Sequence, residues 1–165
     1  EAENYIIVHL FAGNRNRGLS PEKKHELIRV LSERFTSIRL VISGGSSDRE
    51  EALRISENTG ALVIAGEASL QEMMNLIKNS RGVVSVDTGM AHITAQLGKP
   101  LVVMSTCAFV GASWWLKGQY DDAVPIAVLS RGDLCASGHV YKEYPECMNK
   151  INMNEVAMCA ATILS

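Results

Sequence analysis

A chain of 165 residues has room for about one domain. Its 16 basic and 18 acidic side chains leave a formal charge of −2, which argues against a polybasic nucleic-acid surface. With 47 % hydrophobic and 21 % charged residues, the chain has the material of a packed core and is not a disordered one. No apolar run approaches the ~20 residues of a membrane-spanning helix, and the opening Glu1-Ala2-Glu3-Asn4 is not a signal peptide. Because the first residue is not methionine, the chain reads as a piece of a longer protein or a processed one.

The elements alternate. Residues 5–10, Tyr-Ile-Ile-Val-His-Leu, form a buried-strand run. Pro21 opens a helix behind Ser20 as N-cap, with Leu27, Ile28 and Leu31 on its apolar face. A second strand over 38–42 stops at Gly44-Gly45. A helix over 48–58 follows and ends at Gly60, a C′ glycine by its position. Residues 61–65 give the third strand. Ser69 then caps a helix whose Leu70, Met73, Met74 and Ile77 recur at helical spacing. Residues 82–86 make the fourth strand, 90–97 a helix and 101–104 the fifth strand. A sixth strand over 123–129, an irregular loop over 130–150 and a closing helix over 154–164 complete the chain. Strands rich in β-branched residues alternating with helices predict an α/β fold: a Rossmann-like, doubly wound parallel sheet of about six strands in one domain, residues 1–165.

In such sheets ligands bind beyond the carboxyl ends of the strands, beside the N-termini of the following helices. The fourth strand runs into Asp87-Thr88-Gly89-Met90-Ala91-His92. Gly89 permits close backbone approach, the helix N-terminus attracts an anion, and Thr88 and His92 are four apart, so both can face that end. Together they suit a phosphate, with Asp87 orienting the turn or His92; the plain alternative is a capped helix with a satisfied histidine. The first strand leads into Phe11-Ala12-Gly13-Asn14-Arg15-Asn16-Arg17-Gly18, whose arginine forks suit a diphosphate or simply coat a solvated turn. After the second strand, Asp48 either accepts from ribose hydroxyls or caps its helix. After the third, the small residues around Ala68 leave space for a flat base or form a plain cap. No Gly-x-Gly-x-x-Gly, Walker loop or Gly-x-Ser-x-Gly elbow is present.

Cys107, Cys135, Cys147 and Cys159 form no Cys-x-x-Cys pair and no zinc-ligand cluster, and they read as reduced thiols. Cys159 lies on an apolar helical stripe with Val156, Ala160 and Ile163, whereas Cys135 and Cys147 fall in the loop, where pairing or metal binding stays open. Asp121-Asp122 reads as a solvated turn. Trp114-Trp115 is read either as a stacking surface for a ligand or partner or as loop packing.

Taken together, these residues resemble a family. Gly66-Glu67-Ala68-Ser69-Leu70 and then Asp87-Thr88-Gly89-Met90-Ala91-His92, followed by an Ala-containing helix and Lys99-Pro100, resemble the heptosyltransferases of glycosyltransferase family 9. Arg17-Gly18-Leu19-Ser20 looks like the family's basic-x-Trp-Pro segment, and Cys147-Met148-Asn149-Lys150-Ile151 like its Cys-Met-x-x-Ile stretch. Two departures stand: Leu19 replaces the tryptophan, and Ser105-Thr106-Cys107-Ala108-Phe109 replaces a Gly-rich segment after the fifth strand.

The resemblance implies the C-terminal, donor-binding half of a two-domain GT-B enzyme. It places no catalytic residue here, because the family's catalytic aspartate base belongs to the acceptor half, which has no counterpart in this chain. It implies donor binding by Gly13, Arg17, Asp48, Ala68, Asp87, Thr88, Gly89, Met90 and His92, without metal or cofactor. The implied reaction is inverting transfer of heptose from ADP-heptose to the lipopolysaccharide inner core. The acceptor would be held by the other half, in the bacterial cytoplasm or at the inner face of its membrane. The competing readings are a non-catalytic nucleotide- or nucleotide-sugar-binding module and a dehydrogenase domain, the latter disfavoured by the missing glycine fingerprint.

Overall fold

The computed structural model describes residues 4–14, 17–106, 115, 119–131 and 145–165. Six strands form one parallel sheet: β1 (Tyr5–His9), β2 (Arg39–Ser43), β3 (Leu62–Val63), β4 (Val83–Val86), β5 (Leu101–Met104) and β6 (Ile126–Leu129), in the order β3-β2-β1-β4-β5-β6. The described helices are α1 (Pro21–Arg34), α2 (Arg49–Ser56), α3 (Leu70–Asn79), α4 (Gly89–Gln96), the short α5 (Glu146–Asn149) and α6 (Met153–Leu164). The doubly wound α/β sheet read from the sequence is the architecture found.

Strand alternation divides the core into two layers. Ile6, Val8, Leu40, Ile42, Val84, Val86, Val102 and Met104 point to one face, where α1, α2 and α6 supply Leu27, Leu31, Ile55, Val156 and Leu164. Ile7, Val41, Val83, Leu101 and Val103 point to the other face, against Met73 and Ile77 of α3 and Ala91 and Ala95 of α4. Both faces are covered, so the strands lack the apolar–polar alternation of a one-sided sheet. Each fully buried branched side chain contributes about 1.5–3 kcal/mol.

The caps follow from local chemistry. Ser20 Oγ accepts from Lys23 N behind Pro21, where a missing N–H costs nothing. Ser69 and Glu72 form a capping box: Ser69 Oγ accepts from Glu72 N, and Glu72 Oε2 accepts from Ser69 N at 2.8 Å. Those bonds favour the carboxylate and hold Glu72 below the usual range, the hydroxyl's bond first and the backbone's second.

Five expectations are corrected. The helix expected over 48–58 is a 3₁₀ turn over Ser46–Asp48 followed by α2, which stops at Ser56. Its C-cap is Glu57 and the left-handed C′ residue is Asn58 at φ 60°, not Gly60, since Asn tolerates that conformation. The third strand is only two residues long because it sits at the sheet edge, where Leu62 is exposed. The sixth is shorter than expected, its first residues being taken up by the Asp121 turn, in which Ala123 N donates to Asp121 Oδ1. The loop expected over 130–150 contains α5, which buries Cys147 and Met148 in the core. Cys159 packs against the core from α6 as expected. Cys107, Cys135 and Trp114 lie outside the described residues.

Gly66 joins the loops after β2 and β3. Its φ is +76°, its N–H donates to Gly44 O at 3.0 Å, and an added Cβ would come within 2.7 Å of Ser46 Cα. That neighbour is backbone and cannot swing aside. Gly66→Ala is expected to destabilise by about 2 kcal/mol or more, combining left-handed strain with a backbone clash, and to lower the thermal midpoint in calorimetry.

Candidate functional site

The chain leaves β1 toward β2 and β3 on one side, then returns through α3 to β4 on the other. The crevice opens where the winding reverses, at the carboxyl ends of β1 and β4. Residues from five strand ends converge on that edge. A cavity of about 650 Å³, lined by Asn4, Arg39, Leu62 and Leu76 among others, lies at the strands' beginnings and away from these residues.

At the end of β4, Asp87 is buried and accepts from Ser105 Oγ at 2.9 Å through Oδ2. Thr88 occupies the N-cap of α4, but its side chain makes no capping bond, and its Oγ1 is buried with no partner. Gly89 is exposed, with nothing within 4 Å of the place a Cβ would take, and half-buried Met90 follows it. The first N–H groups of a helix have no intrahelical acceptor and carry its positive end. A second buried hydroxyl without a partner, Thr106 Oγ1, ends β5. Leaving such a group unsatisfied costs roughly 1–3 kcal/mol.

His92 sits one turn into α4 inside an aromatic cage. Its ring stacks on Trp115 at 4.6 Å between centroids and 8° between planes, and Nδ1 lies 2.5 Å from the Tyr120 hydroxyl. Nε2 is 3.5 Å from Asp87 Oδ1. Burial, and secondarily the charge of Asp87, raise the Tyr120 pKa, so the phenol keeps its proton and can donate to Nδ1. Of the two readings of Trp115, the structure shows packing, against His92.

Arg17 and Gly13 come from the β1 loop, where Arg17 N donates to Asn14 O at 3.0 Å. Gly13 is exposed with open space around it. Asp48 Oδ2 accepts from Gly45 N at 2.8 Å and so closes the turn after β2. Ala68 stands just before the α3 cap, beside the β3 end.

The sequence model of glycosyltransferase family 9 (heptosyltransferase) matches residues 7–105. The chain belongs to that family. A 99-residue stretch, 59 % of this chain, is 32 % identical to lipopolysaccharide heptosyltransferase 1 of Escherichia coli K12, of which it covers 30 %. Among solved structures, a glycosyltransferase family 9 protein from Veillonella parvula superposes with TM-score 0.74 at 17 % identity, over 98 % of this chain and 46 % of that one. E. coli ADP-heptose lipopolysaccharide heptosyltransferase II does so with TM-score 0.74 at 18 % identity, over 97 % and 46 %. E. coli heptosyltransferase WaaC, solved with ADP, gives 0.68 at 21 % identity, over 98 % and 44 %. The chain thus spans less than half the length of these family members.

Two groups beside the family block were not singled out from the sequence. Arg49 clamps the loops after β2 and β3, donating to Ala65 O at 3.1 Å and pairing with Glu67 at 2.6 Å. His9 ends β1 with Nδ1 3.0 Å from Ser43 Oγ. Its place in a buried-strand run, at the end that faces the crevice, was the available signal. Burial lowers its pKa from 6.5, against smaller opposing contributions from Asp48 and the Phe11 backbone. Below about pH 6.5 the unfolded chain therefore binds more protons than the folded one, and stability falls as pH drops. The expected outcome is a thermal midpoint lower at about pH 5.5 than at about pH 7.5, with a smaller difference in His9→Gln.

Proposed function

We propose that this chain is the donor-binding half of an inverting glycosyltransferase that moves heptose from ADP-heptose to a lipopolysaccharide core acceptor. The observation that carries the reading is Thr88: a buried hydroxyl without a partner, at the open N-terminus of α4, in the crevice of a doubly wound sheet. A phosphoryl oxygen gives that hydroxyl its acceptor and gives the helix N–H groups of Gly89 and Met90 theirs. Arg17 approaches the same edge from the β1 loop and supplies a full positive charge. Asp48 retains acceptor capacity for ribose hydroxyls beyond its bond to Gly45 N, and Ala68 leaves room for adenine. The identity of the ligand is supported by WaaC, the similar heptosyltransferase solved with ADP.

In glycosyl transfer the anomeric carbon develops positive charge while the bond to the diphosphate breaks. The departing anion must be stabilised as its charge grows, and donors already aimed at it act without reorganising. The α4 terminus, Thr88 and Arg17 fill that role in this proposal, without a metal. His92, with its nitrogens directed at Tyr120 and Asp87, fixes the Asp87 carboxylate beside the reacting end of the donor. The base that activates the acceptor, and the acceptor surface itself, belong to the other half of the enzyme. The setting is the bacterial cytoplasm, with the acceptor reached at the membrane's inner face. No described helix is long and apolar enough to cross a membrane.

Calorimetric titration of the 165-residue chain tests the reading. ADP is expected to bind, Arg17→Ala to weaken it about tenfold or more, and Thr88→Ala about fivefold. Adenosine, which lacks the phosphates, should respond to neither change. Equal losses for ADP and adenosine in the Arg17 variant would refute the phosphate cradle. A separate assay should detect no sugar transfer from ADP-heptose by this chain; measurable turnover would overturn the division of labour between halves.

A further inference from the structure

We propose that Thr106, at the end of β5, is a further ligand-binding residue that pairs with Thr88 to form a two-hydroxyl shelf for a diphosphate. This rests on the donor-binding reading and deepens it.

The β4–β5 ladder pairs Val84 with Val102 and Val86 with Met104, and Asp87 N continues it by donating to Met104 O at 3.0 Å. Carried two residues beyond the strand ends, the same register would set Thr88, the N-cap of α4, opposite Thr106. Side chains two apart on a strand share a face. Thr88 and Thr106 therefore follow Val86 and Met104, while Asp87 and Ser105 follow Ser85 and Val103 and bond to each other. Strand neighbours lie about 4.8 Å apart, so that register would make the two side chains neighbours beneath the crevice.

Both Oγ1 atoms are buried without a partner, and Thr106 as a residue is only 2 % exposed. Neighbouring Ser105 shows what a settled hydroxyl looks like here, donating to Asp87. Two adjacent neutral donors beside the positive end of α4 fit an anion with acceptor oxygens spaced over more than one centre. A diphosphate has that form. Thr106 lies in the segment Ser105-Thr106-Cys107-Ala108-Phe109, which departs from the Gly-rich pattern of the resemblance, whereas Thr88 lies in the matching block.

Thr106→Val keeps the shape and removes only the hydroxyl. Replacing an unsatisfied buried hydroxyl by a methyl leaves the unliganded protein as stable or more so, whereas removing one that holds the fold together destabilises it. The measurements are melting curves without ligand and calorimetric titrations with ADP and with inorganic pyrophosphate, on the wild-type chain, Thr106→Val and Thr106→Ser. The expected result is an unchanged or raised thermal midpoint in Thr106→Val, a roughly fivefold weaker affinity for both probes, and recovery in Thr106→Ser. Undiminished affinity for both probes in Thr106→Val overturns the shelf and leaves the nucleotide reading standing. Equal losses in Thr106→Val and Thr106→Ser, or a lowered midpoint in Thr106→Val, also overturn it by assigning Thr106 to packing. ADP binding no tighter than pyrophosphate overturns the nucleotide reading while the shelf stands. Wild-type protein that binds neither probe overturns both.

Discussion

The pairing of β1 on both sides, with β2 along one edge and β4 along the other, is the constraint on which the rest of the structure depends. Ile6, Ile7 and Val8 are fully buried, so this strand is held by ladders at its edges and by helices over both faces. Because every described strand runs parallel to it, all the carboxyl ends fall on one edge of the sheet. Because the chain winds away from β1 in both directions, the loops after β1 and β4 diverge and leave a crevice between them. The site is thus placed by topology before any of its side chains is considered.

What lines the crevice is held from behind. Lys24, buried on α1, pairs with Glu51 of α2 at 2.8 Å and lies 4.6 Å above the Phe11 ring. Phe11 in turn packs on Gly44, where an added Cβ would come within 2.9 Å of its ring. Arg49 then ties the β2 loop to the β3 loop. A truncated partner in the Lys24–Glu51 pair would leave a charge in a poorly solvated place, which is why such pairs fix geometry more dependably than they add stability. Three neighbouring strand-end loops are therefore tied together by these contacts.

The fold was legible because burial on both faces produces runs such as Ile6-Ile7-Val8 and Leu101-Val102-Val103, which no one-sided sheet requires. The caps at Ser20 and Ser69 were legible because their chemistry is local. Less local features escaped. Asn58 in place of Gly60 at the helix end, and the shortness of β3, depend on where neighbouring elements stop the chain. The strand-end residues Asp87, Thr88 and Gly89 were readable as a motif, yet the cage around His92 joins Trp115 and Tyr120 from more than twenty residues away in sequence. Nothing in the spacing of those aromatics announces that a histidine lies between them. Likewise Asp48 was readable as a cap or a ligand residue, and the structure adds its bond to Gly45 N without removing its remaining acceptor capacity.

The two faces of the sheet carry different chemistry at the point where the ladder ends. On the α3–α4 face, Asp87 meets Ser105, and Nε2 of His92 faces the same carboxylate. The Oγ1 atoms of Thr88 and Thr106, next in sequence, are buried with no such partners. The same period-two alternation that sorts valines into two apolar layers thus sorts the first polar residues beyond them into a charged group already bonded and a hydroxyl pair left unbonded. A buried polar group is tolerated without a partner only where something else in the structure outweighs its cost, and the fully buried strands immediately below provide that margin. Satisfied and unsatisfied groups thus lie one residue apart just past the ends of β4 and β5.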